Sequence, residues 1–259
     1  MCGIVGYIGN REAQNILIGG LKRLEYRGYD SAGVATLNST GKLTNLRAQG
    51  KVAELARLQA QAPVNDTIGI GHTRWATHGA PSVKNAHPHT AGAITLVHNG
   101  IIENFEDLKQ ILEPKGYEFL SDTDTEVLAA LIDSLYQDSS SLLDAVLGAL
   151  RLVVGAYGIA VLAHDTPDQI VVARSGSPLI IGVAGDETFI ASDASALIGH
   201  TKQVIYLKEG EVALCKAGEV QLYDIAANPL SKAVETLEAD MQAIQKDGYE
   251  HFLLKEIHE

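Results

Sequence analysis

The chain has 259 residues, of which 46% are hydrophobic and 20% charged, with a formal charge of −12. This composition belongs to a folded protein of one or two domains, not a disordered one. The acidity and the lack of Lys/Arg clusters exclude a dedicated nucleic-acid binder. No apolar run reaches the roughly 18 residues of a membrane helix. The start MCGIVGYIGN has neither the basic flank nor the cleavage site of a signal peptide. Cys2 and Cys215 make no disulfide framework, so a reducing, cytoplasmic setting is expected.

Residues 3–9 read as a first strand. Residues 11–24 carry Ala13, Ile16, Leu17, Leu21 and Leu24 at helical spacing, which predicts a helix buried on one face. Residues 32–37 and 42–47 read as a hairpin, and 67–71 and 93–98 as buried strands. Between those strands lies a Gly-, His-, Thr- and Pro-rich segment expected to be a long loop, and such loops are usually functional. Helices are predicted over 124–137 and 141–151, the first opened by Thr123 with Glu126 reaching back as a capping box.

From residue 155 the pattern is β. The runs 155–163, 169–173, 178–183, 187–191, 203–207, 211–215 and 219–223 are joined by tight connections, which means hairpins and a largely antiparallel sheet. Helices grouped between strand blocks point to a layered α+β fold. After Asn228-Pro229, residues 231–246 read as a polar helix, followed by an apolar ending with Phe252, Leu253, Leu254 and Ile257.

Cys2 is the most informative residue. Position 2 is small enough for removal of Met1, which would leave Cys2 holding both a thiol and a free α-amine. That amine has a reference pKa of about 7.7–8.0. It could take the thiol proton and return it to a leaving amine. The plain alternative is a small residue opening a strand.

Five of the nine histidines (72, 78, 87, 89 and 98) lie within one stretch of 27 residues. Their spacing matches no standard zinc set, so no metal is expected, and structural donors fixing the loop are the simpler reading. Arg74 offers a planar fork for a carboxylate, or a surface ion pair. Trp75 offers an apolar lid, or an anchoring ring. Asn99-Gly100 is a turn signal first. It could also present an amide and a bare backbone N–H, the makings of an oxyanion hole. Asp124 at a helix start is a dipole or cap residue, or a partner for a substrate ammonium. No glycine fingerprint for a nucleotide is present, so no cofactor is expected.

Taken together, the motifs identify a family. The start Cys2-Gly3-Ile4-Val5-Gly6 is shared by amidotransferases that use an N-terminal nucleophile. The runs Glu25-Tyr26-Arg27-Gly28-Tyr29-Asp30-Ser31-Ala32-Gly33, His72-Thr73-Arg74-Trp75-Ala76-Thr77-His78-Gly79, Asn85-Ala86-His87-Pro88-His89, His98-Asn99-Gly100-Ile101-Ile102-Glu103-Asn104 and Thr123-Asp124-Thr125-Glu126 are more specific. Arg174-Ser175-Gly176-Ser177-Pro178-Leu179 and Ala191-Ser192-Asp193 fit as well. The chain resembles, over its whole length, the glutaminase (glutamine amidotransferase type 2) domains of the isomerising glutamine–fructose-6-phosphate aminotransferases.

The resemblance implies the four-layer αββα sandwich of N-terminal-nucleophile hydrolases. It implies a glutaminase domain over residues 2–228 and a helical segment over 229–259 leading to a linker, the sugar-isomerase domains lying outside this chain. It implies L-glutamine as substrate and an oligomeric full-length protein. By residue, it implies Cys2 as nucleophile with its α-amine as base, and Asn99 with the Gly100 N–H for the oxyanion. Arg74 would hold the substrate carboxylate with Thr77 and His78 nearby, Asp124 the ammonium, and Trp75 would gate the site. Arg27 would face the synthase half. The glutaminase halves of phosphoribosylpyrophosphate amidotransferases and asparagine synthases resemble the start but not the Tyr-Arg-Gly-Tyr-Asp-Ser-Ala-Gly or Arg-Trp-Ala-Thr-His-Gly runs. A glutamine-binding domain without catalysis is the reading from a different class.

Overall fold

A computed structural model describes residues 2–75, 79–139 and 141–237. The strands are β1 Gly3–Ile8, β2 Ser31–Leu37, β3 Leu43–Gln49, β4 Ile68–Arg74, β5 His89–Ala91, β6 Ile94–Ile102, β7 Gly155–Ala163 and β8 Ile170–Ser175. They continue as β9 Ile180–Ala184, β10 Glu187–Ala191, β11 Gln203–Tyr206, β12 Glu211–Lys216, β13 Glu219–Asp224, β14 Pro229–Leu230 and β15 Glu235–Thr236. The helices are α1 Ala13–Leu24, α2 Val52–Gln61, α3 Phe105–Leu112, α4 Asp124–Tyr136 and α5 Leu142–Leu150. No helix among the described residues is long and apolar enough to cross a membrane.

Two antiparallel sheets carry the fold. One runs β15-β11-β9-β10-β1-β4-β2-β3 and the other β14-β13-β12-β8-β7-β6-β5. Their inner faces meet in an aliphatic layer that includes Ile4, Ile70, Val97, Ala160, Val172, Ile181 and Ile190. Residues such as Leu17, Leu21, Leu24, Val52 and Leu55 of α1 and α2 cover the outer face of the first sheet. Helices α3 to α5 cover the second through residues such as Leu108, Leu128, Ile132 and Val146. The result is the αββα sandwich that the resemblance implies.

Several elements differ from their sequence reading. Strand β4 runs on through Arg74, so His72, Thr73 and Arg74 sit on a buried strand and not in the loop. Strand β6 continues through Ile102, and Asn99 and Gly100 pair in register with Gly158 and Tyr157 of β7. They are ladder residues rather than a turn. Thr123 caps α4 as expected, accepting from the Glu126 N–H. The Glu126 carboxylate reaches past the capping residue, however, to the N–H groups of Leu120 at 3.1 Å and Ser121 at 2.6 Å.

The helix predicted over 231–246 does not begin within the described residues. Residues 229–230 and 235–236 instead extend the sheet edges, pairing with β13 and β11. Unpaired ladder groups at those edges outweigh a local helical preference that has no core to pack on. Residues 238–259 lie outside the described residues. Helices α2 and α3 were not legible, because each buries only two side chains: Val52 and Leu55, and Leu108 and Leu112.

Candidate active site

Central position in one sheet places Cys2. Strand β1 lies between β10 and β4, in a run buried at every position. Cys2 is the residue just before it, beside the end of β4 that carries Arg74, since Gly3 pairs with Thr73. Across the sandwich, β6 brings Asn99 to the same place, and the Asn99 amide nitrogen donates to the Cys2 carbonyl oxygen at 3.3 Å. Asp124, at the first turn of α4, accepts from the Ile102 N–H at 2.8 Å, which ties it to the end of β6. A cavity of about 400 Å³ lies among these groups, lined by Cys2, Arg27, Arg74, Trp75, Asn99, Gly100 and Asp124. That volume is at the small end of the range for small-molecule sites.

The Cys2 sulfur receives the Trp75 N–H at 3.1 Å and lies 3.5 Å from the Trp75 carbonyl oxygen. Burial pushes the thiol up, opposed mainly by that Trp75 N–H. A thiol held up in this way needs a proton acceptor to become the reactive thiolate. The neighbouring histidines are poor acceptors. Burial lowers His72 to about 3 and His87 well below its usual range, and the lone pairs of both rings are already engaged. The α-amine of Cys2 itself, once unmasked, stands nearest.

Arg74 is 3% exposed, yet it lines the cavity. Its guanidinium donates to the Gly79 carbonyl at 3.0 Å and lies 3.7 Å from Asp30. The Asp30 N–H in turn donates to the Arg74 carbonyl at 2.7 Å. The Asp30-Ser31 part of the sequence motif therefore holds this arginine. Arg27 is buried and paired with Asp193 at 3.2 Å, a lining residue held against the wall. Trp75 is 56% exposed. Its ring lies so close to Gly28 that a Cβ there would come within 2.3 Å of it. Glycine at 28 thus allows the indole, which lines the cavity, to approach the backbone there. Thr77 and His78 lie outside the described residues.

His72, His87, His89 and His98 form a buried hydrogen-bonded group with Thr123 and Thr125. His72 meets Asn99 at 3.0 Å, His87 meets Thr125 at 2.9 Å, and His89 meets Thr123 at 3.1 Å. Among the described residues no three His, Cys, Asp or Glu side chains group as a metal ion requires. Sequence reasoning missed Thr125, Ser177, Pro178 and Ser192 as individual lining residues. The motif runs contained all four, but nothing local said which of their side chains would face inward.

Two outcomes follow. The folded pKa values of His72, His87 and His89 lie below the ordinary 6.5, two of them at about 3. Between pH 6.5 and about 3 the unfolded chain therefore binds protons that the folded chain refuses. Their stabilisation is present above pH 6.5 and is lost as pH falls through that window, at about 1 kcal/mol per pH unit for each histidine. Thermal melts at pH 7.5 and 5.5 should show a large drop, and equal melting temperatures would contradict the neutral cluster. Gly100 has φ +126°, and a Cβ there would lie 2.1 Å from the Ala156 carbonyl oxygen. Gly100→Ala should therefore cost at least about 1–3 kcal/mol in backbone strain, or on the order of 2–4 °C of melting temperature per kcal/mol. A variant that melts with the wild type would remove the need for glycine at this position.

A sandwich of two antiparallel sheets, with a cysteine heading a central strand of one sheet beside an Asn-Gly pair on the other, defines the N-terminal-nucleophile class of glutamine amidotransferase folds. Residues 72–199, just under half of the chain, match the family described as a glutamine amidotransferase domain. The chain is similar over its whole length to N-terminal portions of isomerising glutamine–fructose-6-phosphate aminotransferases. It is 52% identical to that of Chlorobaculum tepidum, 49% to that of Bacteroides thetaiotaomicron and 50% to that of Vibrio vulnificus. It covers 43%, 43% and 42% of those proteins, less than half their length. The structure of the glutamine phosphoribosylpyrophosphate amidotransferase of B. subtilis superposes on 88% of this chain and 50% of that one, with a TM-score of 0.74 and 30% identity. A glutamine aminotransferase class-II domain protein of Silicibacter pomeroyi shares the fold at a TM-score of 0.59 and 17% identity.

Proposed function

We propose that the chain hydrolyses L-glutamine to glutamate and ammonia through a thioester on Cys2. The carrying observation is that Cys2, Asn99, Gly100, Arg74 and Asp124 line one cavity, although they come from four separate segments. With Met1 removed, the Cys2 α-amine takes the thiol proton and the sulfur attacks the carboxamide carbon. The Asn99 amide and the Gly100 N–H receive the resulting oxyanion. The proton passes from the α-amine to the departing nitrogen, the C–N bond breaks and ammonia leaves. Water then cleaves the γ-glutamyl thioester, releasing glutamate and restoring the thiol. Arg74 takes the substrate carboxylate with its fork, and Asp124 takes the ammonium. Thr77 and His78 assist at the carboxylate end, Trp75 covers the mouth, and Arg27 serves the side facing the synthase half.

In the longer protein the ammonia goes to sugar-isomerase domains that convert fructose-6-phosphate to glucosamine-6-phosphate, in a cytoplasmic homo-oligomer. The 47–52% identity to aminotransferases of that name, against 30% to the phosphoribosylpyrophosphate amidotransferase and 31% to an allosteric regulatory enzyme of purine biosynthesis, supports this acceptor. The domain reading keeps residues 2–228 as the glutaminase and 229–259 as the passage to the linker.

The test is glutamate release from L-glutamine by the purified protein, with intact mass recorded on the same sample. Release that requires Met1 removal supports the reading. Glutamine binding without release, in protein lacking Met1, would make this a binding domain instead. Stimulation of release by fructose-6-phosphate in the full-length protein tests the acceptor.

A further inference from the structure

The hydrogen bonds behind Asn99 form a chain with a direction. His72 Nε2 lies 3.0 Å from Asn99 Oδ1, and His87 Nδ1 lies 3.0 Å from His72 Nδ1. On its other side, His87 Nε2 lies 2.9 Å from Thr125 Oγ1, and His98 Nδ1 lies 3.1 Å from the same hydroxyl. His72, His87, His98 and Thr125 are all buried. Burial keeps His72 and His87 neutral, so each ring offers one donor and one acceptor. His87 Nδ1 also lies 3.3 Å from His72 Nε2, and with the shorter Nδ1–Nδ1 contact as the bond the row runs in one of two directions.

In the first, His98 Nδ1–H donates to Thr125, and Thr125 donates to His87 Nε2. His87 Nδ1–H then donates to His72 Nδ1, and His72 Nε2–H to Asn99 Oδ1. The Asn99 nitrogen is thereby turned toward Cys2, where it donates to the carbonyl oxygen at 3.3 Å. In the second, His98 Nε2–H turns to the Ala156 carbonyl oxygen at 3.4 Å and every ring proton moves to the opposite nitrogen. Asn99 must then turn over, and its oxygen would confront the Cys2 carbonyl oxygen. Two acceptors face to face are repulsive, and a buried acceptor left unmatched loses the hydrogen bond it would make in water. The first direction is therefore the one the packing supports. Thr125 also lies 3.4 Å from Asp124 Oδ1, a longer contact that gives way to the His87 bond.

We propose that this row is a positioning device: His72, backed by His87, holds the Asn99 amide nitrogen toward Cys2, preset as an oxyanion donor. The proposal rests on the reading that Asn99 receives the oxyanion. His72 touches no reacting atom and acts through Asn99. A donor that is already oriented needs no reorganisation when charge develops, which is how such groups speed a reaction.

The experiment measures glutamate release by the full-length protein with Met1 removed, comparing wild type, His72→Leu and His72→Gln. Leucine keeps bulk and removes the donor, whereas glutamine keeps an N–H near the position of Nε2. Expected for His72→Leu is a fall in kcat of tenfold or more, toward the roughly 10²–10³ of a lost donor, with KM within about threefold. His72→Gln should recover at least about tenfold of that loss, which a merely space-filling histidine would not require. A kcat for His72→Leu within about threefold of wild type, or a glutamine variant as slow as the leucine one, would overturn the proposal. If His72→Leu does not fold, 15N NMR of the wild-type imidazoles decides the matter. Protons on His72 Nε2 and His87 Nδ1 support the proposal, and protons on the opposite nitrogens overturn it. A wild type that releases no glutamate would count against the glutaminase reading, and the imidazole spectra would still report the direction of the row.

Discussion

Cys2→Ala should abolish glutamate release while glutamine still binds. The substitution removes only the sulfur. The cavity keeps Arg74 and Asp124, which the account assigns to the two ends of the substrate, so binding has no reason to fail. Turnover has no nucleophile left, and loss of a nucleophile typically costs on the order of 10⁶ in kcat. Calorimetry should give a glutamine Kd within about threefold of that of slowly turning-over wild type. Turnover within tenfold of wild type would remove Cys2 from the chemistry.

Arg74→Lys should raise the KM for glutamine by about 10- to 100-fold with a smaller change in kcat. The guanidinium is buried and oriented by Gly79 and Asp30, so the side of it that lines the cavity is held in a fixed plane. Lysine keeps the charge but offers a point instead of a fork. Losing one charge-assisted hydrogen bond costs about 1.5–3 kcal/mol, and 1.4 kcal/mol is a factor of ten in affinity. Kd measured in the Cys2→Ala background separates binding from commitment to reaction. An unchanged KM and Kd would mean that Arg74 serves only to brace the wall with Asp30.

The layered, antiparallel α+β character was legible because its signals are local, whereas the four-layer sandwich was implied by the resemblance. Runs joined by short turns form hairpins at β7–β8, β9–β10 and β12–β13, but β9 to β11 lie in one sheet and β7, β8, β12 and β13 in the other, a division that the strand period does not encode. The site was legible at Cys2, Arg74, Asn99 and Asp124 through motif runs, but its geometry was not. His72 and Arg74 looked like loop residues because glycine, threonine and tryptophan surround them, whereas β4 pairs with β2 through Arg74 and with β1 through Thr73. Asn99-Gly100 looked like a turn because the dipeptide usually is one. Here the partner strand β7 holds it in the ladder, and Gly100 supplies the backbone conformation that this requires. The histidine row was invisible in the sequence. Its members, His72, His87, His98 and Thr125, come from two strands, a connecting segment and a helix, and only the packing of α4 against β6 brings them together.

The central claim is that glutamine becomes covalently attached to the sulfur of Cys2. Acid-quenching the enzyme during turnover, then mapping the N-terminal peptide by mass spectrometry, tests it directly. The account predicts a peptide that begins at Cys2, lacks Met1 and carries a γ-glutamyl group in thioester linkage that hydroxylamine removes. Sustained glutamate release with no adduct on Cys2, or release by protein that still carries Met1, would contradict it.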